Sequence, residues 1–254
     1  VTHNWGNVFL HLVAAIIGDS LGHSHFASVI DRLLIPGGRS ELREALRTLG
    51  MLDVTYWVCA FSVNQHASIC GGFGPSPPVQ TPEYDEWDAK RRDTVTCEVY
   101  PTCNCSTQKY FNDDAVSTEL NKFDDMMRLL AERLSCFTHL IVVDDKFEVF
   151  TRAWCVAEIV EGSALGIRQR IVMQSTGCLD QHYTMLRTLD IRNCRASRAE
   201  DRQEILSKIE DIPVFNEYLG WLIFDTRGLF NSFIDGECRL AFVGRISARS
   251  QISC

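Results

Sequence analysis

The chain has 254 residues, 46% hydrophobic and 23% charged, which is ordinary for a soluble globular protein and ample for a core. A formal net charge of −8 argues against nucleic acid as the default partner, although residues 187–202 carry a local run of arginines. No apolar run approaches the ~20 residues of a membrane span; the best stretch, Val8 to Ile17, is short and broken by His11.

The chain opens on Val1 rather than methionine, which predicts a piece or processed product of a longer protein. Val1 to Trp5 reads as the tail of a strand. Asn7 to Leu21 repeats apolar residues at helical spacing, and a second helix is expected from Ser40 to Leu49, capped by Ser40. Val54 to Phe61, β-branched and aromatic without polar interruption, suits a strand buried on both faces. Residues 71–118 read as an organised insertion: a Gly/Pro-rich loop from Gly71, a charged stretch, then Cys97, Cys103 and Cys105. Its glycines lack the strand and Lys-Ser/Thr frame of a phosphate loop.

Regular structure resumes with a helix from Glu119 to Leu134 and a strand from Thr138 to Val143. A helix opens near Thr151, its expected N-cap, with Ala153, Val156, Ala157, Val160 and Ala164 on the core face. Trp154, Glu158, Glu161 and Leu165 share the other face. Strands are expected at Gln169 to Met173 and Leu186 to Arg192, and helices at Ala199 to Ile209 and Val214 to Phe224. Arg239 to Ile246 fits helix or strand, and residues 195–254 form a C-terminal extension. Alternating strands and helices predict an α/β fold with a parallel sheet, whose ligands bind beyond the carboxyl ends of strands. The Trp154/Glu158 helix starts just past such an end.

The odd count of 11 cysteines, several in core-like elements (Cys59, Cys136, Cys155), suits free thiols in a reducing, cytoplasmic compartment. Within that set, His66-x3-Cys70, then Cys97, then Cys103-x-Cys105 supplies enough soft ligands for a tetrahedral zinc site, with His66, Cys70, Cys103 and Cys105 as its ligands. The competing reading is ordinary free cysteines, since no paired CxxC spacing is present. Asp144 and Asp145 could hold a cation or simply cap the connector after their strand, and Asn64, Gln65 and His66 could line a cleft or satisfy a turn. Cys155 reads as a small buried residue rather than a nucleophile, because no base is placed to activate it.

The order of motifs resembles the TIR domain, a flavodoxin-like module of innate-immune and cell-death signalling. Thr151-Arg152-Ala153-Trp154-Cys155-Val156-Ala157-Glu158-Ile159, after an apolar strand and a short connector, matches that family's Ser-x-Trp-Cys-Leu-x-Glu-Leu helix. Thr2-His3 followed by Phe9 and Val13 sits in a frame comparable to its first strand and helix. His3-Asn4-Trp5, the run from Tyr56 to His66, and Arg152 to Cys155 are similar to a group of TIR-like proteins of algae and other protists. The resemblance covers about half the chain; the insertion and the C-terminal extension have no counterpart in a minimal TIR domain.

The resemblance implies a flavodoxin-like three-layer parallel sheet of about five strands. It implies that Glu158 is the carboxylate required to cleave the nicotinamide–ribose bond of NAD, with His3, Trp5, Phe61 and Trp154 lining the nucleotide cleft. It also implies self-association as a homo-oligomer. Many members are scaffolds without turnover, so a non-catalytic self-association module is the alternative. In that case Trp154 and Glu158 are interface or structural groups.

Overall fold

A computed structural model of the chain describes residues 1–62, 64–68, 70, 75–93, 96–108, 123–175, 177–196, 199–225, 228–231 and 233. Its helices, in chain order, are α1 (Phe9–Ser20), α2 (Ala27–Leu34), α3 (Gly38–Thr48), α4 (Cys59–Ser62), α5 (Gln65–Ser68), α6 (Pro82–Lys90) and α7 (Phe123–Arg133). After strand β1 (Thr138–Val143) come α8 (Ala153–Ala164), strand β2 (Arg168–Met173), α9 (Cys178–Arg187), α10 (Ala199–Ser207) and α11 (Ile212–Phe224).

The centre is a parallel pair. Thr138 lies opposite Arg168 and Val143 opposite Met173, with every residue between in register. Parallel strands need a crossover, and α8 supplies it. Alternation then sorts the strand residues between two cores. Ile141, Val143, Ile171 and Met173 pack with α8, α11 and the aromatic cluster of Phe147, Phe150 and Phe230. Leu140, Val142 and Val172 pack on the opposite face with Leu12, Ala15, Phe26 and Val29 of the first helices. Helices therefore cover both faces of the sheet, which is why its strands end in continuous apolar runs, Leu140–Val143 and Ile171–Met173.

Single parallel bridges extend the pair on both sides. Thr2 pairs with Ile141, with the Thr2 amide donating to the Leu140 carbonyl at 2.9 Å and the Val142 amide to the Thr2 carbonyl at 2.9 Å. On the far edge His25 pairs with Met173. The expected strand tail at Val1 to Trp5 is thus real but one bridge long. Among the described residues the regular sheet has two strands.

Several expectations are corrected. Val54 to Phe61 is not a doubly buried strand: Val54 is 44% and Phe61 64% exposed, and Cys59–Ser62 is helical. The segment lies outside Thr2, where the Val1 nitrogen donates to the Trp57 carbonyl at 2.8 Å, so only one side of it meets the core. Leu186 to Arg192 is the last turn of α9 and a 3-10 turn at Ile191–Asn193, not a strand. The α3 cap is Gly37, whose φ of 84° suits a residue without a Cβ, and Ser40 falls inside the first turn. Helix α2 and the His25 bridge were not anticipated. The expected helix from Glu119 begins, among the described residues, at Phe123. Gly71 to Gly74 and Arg239 to Ile246 lie outside the described residues.

One polar cluster fastens the 55–58 segment to the core. Asp19, 6% exposed, accepts from the Tyr56 hydroxyl at 2.7 Å and from Arg170 Nη2 at 2.7 Å, and Ser20 Oγ meets the same hydroxyl at 2.8 Å. Burial, reinforced by the Asp19 carboxylate, pushes the Tyr56 phenol up to about 12, so it stays a donor at any physiological pH. Tyr56→Phe removes that donor while leaving Asp19 paired to Arg170. Urea unfolding should register a loss of about 1–2 kcal/mol; an unchanged midpoint would show that the hydroxyl contributes nothing.

Candidate functional site

Helix α8 is capped by backbone rather than by the threonine expected there. Glu148–Thr151 forms a 3-10 turn, Thr151 Oγ1 donates to the Glu148 carbonyl at 2.9 Å, and Arg152 is the N-cap. Arg195, in an isolated parallel bridge with Arg152, closes the junction, its carbonyl accepting from the Ala153 amide at 2.8 Å. The buried stripe is Ala153, Cys155, Val156, Ile159 and Gly162; Ala157 and Val160 are half-buried and Ala164 is exposed. The stripe is rotated from the expected one because two elements claim the helix: the sheet below and the Thr2 strand beside it.

Gly162 explains how closely α8 sits on the sheet. A Cβ there would lie 2.6 Å from His139 Nδ1, 2.9 Å from Gln169 Nε2 and 3.0 Å from Met127 Cε. Only a residue without a side chain admits the two polar groups beneath it. Those groups begin a hydrogen-bond chain whose direction follows from chemistry. Gln169 Nε2 donates to the Ile159 carbonyl at 2.7 Å, which identifies it as the amide nitrogen, and its other hydrogen points to His139 Nδ1 at 3.1 Å. His139 Nδ1 is therefore the acceptor, and the proton sits on Nε2, which donates to Thr2 Oγ1 at 2.7 Å. The Thr2 hydroxyl in turn donates to Glu158 Oε2.

Each link constrains the next. His139 is 4% exposed, and burial drives its pKa down to about 3, so it remains neutral in the tautomer that Gln169 selects. Burial also raises the Glu158 pKa, opposed by the Thr2 hydrogen bond, which favours the charged form. The residue as a whole is only half-buried. Oε1 takes no hydrogen bond among the described residues and is not one of the sealed, unpartnered atoms, and the Val1 ammonium is the further charge that favours the ionised form. Glu158 is thus an anchored carboxylate with one oxygen fixed and the other open.

That opening is a cavity of about 370 Å³, lined by Glu158, Thr55, Tyr56, Trp57, Thr138 and Arg170 among others. Its volume lies at the lower end of small-ligand sites, room for one nucleoside unit of a larger ligand. It sits beside the start of β1, not beyond the carboxyl end where the sequence placed it. The reason is geometric. Helix α8 runs back along the sheet, so the four residues from Trp154 to Glu158 descend ~6 Å toward the amino end.

The other expected cleft residues therefore do not line this cavity. His3 is buried, its carbonyl accepting from Cys155 Sγ at 3.4 Å; burial lowers its pKa to about 4, and its Nε2 has no partner among the described residues. The Trp5 indole donates to Cys59 Sγ at 3.2 Å. Phe61 meets Phe9 edge-on, with ring centroids 6.0 Å apart. Trp154 packs edge-on against Phe123 of α7 at 5.7 Å, a helix–helix contact. Cys155 is buried, which raises its thiol well above the ordinary range and makes it inert as a nucleophile. Asp144 caps its turn, accepting from the amides of Lys146, Glu148 and Val149 at 3.0–3.2 Å, so the capping alternative holds over a cation.

Sequence reasoning missed Thr2, His139, Gln169 and Gly162. A signal existed for one of them: a histidine within an otherwise apolar strand must be satisfied by a partner. The sequence-expected ligands do converge, since His66, Cys70, Cys103 and Cys105 place their ligand atoms within 4.8 Å of one another. Cys97 is not in that group. No described helix is long and apolar enough to cross a membrane. No protein-family model, curated protein or solved structure matches the chain.

Proposed function

We propose that the chain is a TIR-like signalling module that cleaves NAD at the nicotinamide–ribose bond, with Glu158 as the essential carboxylate. The observation that carries this reading is the anchored Glu158, with Oε2 held by Thr2 and Oε1 open at the edge of a nucleoside-sized cavity. The Trp-Cys-x-x-Glu resemblance supports it, because that motif falls on the crossover helix after β1. The five-strand flavodoxin-like sheet belongs to the same proposal. The Thr2 and His25 bridges and the Val1–Trp57 hydrogen bond supply three further extended segments beside β1 and β2. We place the module in the cytoplasm, with other copies of itself as its partner.

The chemistry follows from the charges. Breaking the glycosidic bond leaves positive charge on the ribose, and a carboxylate fixed beside that carbon is worth most when the charge develops. The cationic nicotinamide ring also favours the ionised form of a carboxylate whose burial otherwise disfavours it. Thr2, itself oriented by His139, holds Oε2, so Oε1 meets the sugar without reorienting. In this account Tyr56 and Trp57, rather than Trp5 and Phe61, form the aromatic wall. The Tyr56 ring is already immobilised by its bonds to Asp19 and Ser20.

A second reading has its own observation. Phe9 and Phe61 are 65% and 64% exposed and meet edge-on, with Trp5 at 40% exposure, an aromatic surface suited to self-association without turnover. Both are tested by following nicotinamide release from NAD at micromolar protein while light scattering reports mass. Release that scales with protein concentration supports the enzyme. Folded, assembled protein without release supports the module and removes the enzyme reading.

A further inference from the structure

We propose that His66, Cys70, Cys103 and Cys105 form a structural, four-coordinate zinc(II) site that staples the 96–108 segment to α5. Local geometry delivers the ligands as two pairs. His66 and Cys70 are four residues apart on a helical turn that the Cys70 amide prolongs by donating to the Gln65 carbonyl at 2.8 Å. Cys103 and Cys105 are two apart on the irregular stretch 101–108, and both thiols reach the first pair.

The separations are those of a single ion. His66 Nδ1 lies 3.4 Å from Cys70 Sγ and 3.4 Å from Cys103 Sγ, and Cys70 Sγ lies 3.5 Å from Cys105 Sγ. Zn–S bonds near 2.3 Å and Zn–N bonds near 2.0 Å in a tetrahedron give edges of about 3.5 Å for S···N and 3.8 Å for S···S. These three separations match those edges within a few tenths of an ångström, and all four ligand atoms lie within 4.8 Å of one another. A polynuclear iron–sulfur cluster needs its ligands spread further than 4.8 Å. One nitrogen and three thiolates fill all four positions and leave none for substrate, so the role is structural.

The surrounding chain needs such a staple. Residues 101–108 are exposed except for Cys103, so no apolar core orders them. An ion bound across residues 70 and 103 closes a long loop that hydrophobic burial cannot close. This site is separate from the Glu158 cavity, so its test stands whether or not NAD is cleaved.

The test is metal analysis of the full chain, purified under reducing conditions without chelator. We expect about one zinc per chain, released stoichiometrically by a mercurial reagent. Cobalt(II) exchanged into the site should show the absorption of a tetrahedral thiolate complex. Cys103→Ser with Cys105→Ser should lose the metal, while Cys97→Ser keeps it. Less than about 0.1 zinc per chain, with no cobalt uptake by the wild-type protein, overturns the proposal. A Cys70–Cys105 disulfide found by mass spectrometry under the same conditions overturns it as well.

Discussion

Replacing Gly162 by alanine should cost the fold about 3 kcal/mol, although the same change in an exposed helix gains about 1 kcal/mol. The sign reverses because of what lies beneath. The new methyl would stand 2.6 Å from His139 Nδ1 and 2.9 Å from Gln169 Nε2, distances at which something must move. Either α8 lifts off the sheet and loosens Val156 and Ile159, or the two side chains shift and break their bonds. Overpacking costs about 1–3 kcal/mol, and each buried polar group left unsatisfied adds about 1–3 kcal/mol. Those losses exceed the helix-propensity gain. Thermal unfolding should drop by roughly 10 °C for a chain of this size. A variant as stable as the wild type would mean that α8 does not press on the sheet at this point.

How much of this was legible depends on whether a residue's neighbours are local. The strands Thr138–Val143 and Arg168–Met173 were readable because burial on both faces makes their second halves, Leu140–Val143 and Ile171–Met173, continuous apolar runs. The helix Ile212–Phe224 was readable from its period. Helix α2 was missed, although Phe26, Val29, Ile30 and Leu33 repeat at helical spacing, because it follows α1 with only a short connection. Val54 to Phe61 misled because its composition is that of a central strand, while its place is outside Thr2 at the edge. The convergence of His66, Cys70, Cys103 and Cys105 was legible from residue types alone. The partners of Glu158 were not. Thr2 and His139 come from two strands brought together by the sheet, and no local spacing encodes that meeting. The cavity's position was misjudged because the strand-end rule was applied to the start of α8, while Glu158 lies a turn further back along the sheet.

Glu158→Gln separates the proposed catalysis from stability more sharply than any other change. Burial raises the Glu158 pKa above its ordinary 4.5, so the native chain favours the protonated form more than the unfolded chain does. That contribution is fully present below pH 4.5 and is lost as pH rises through the native pKa. At neutral pH the ionised carboxylate is therefore a net cost to the fold. Glutamine accepts the Thr2 hydroxyl with its amide oxygen and carries no charge. The variant should unfold at or above the wild-type temperature at neutral pH, and should lack the wild type's decline in stability above pH 4.5. Its activity should collapse, because a neutral amide offers no countercharge to the ribosyl cation. Losing such a group lowers turnover by about 10²–10³-fold.

The ratio of nicotinamide-release rates, wild type over Glu158→Gln, at neutral pH and equal folded protein, is the most direct test. The anchored-carboxylate account predicts a ratio of about 100 or more with no loss of thermal stability in the variant. Measurable wild-type release matched by the variant would contradict it.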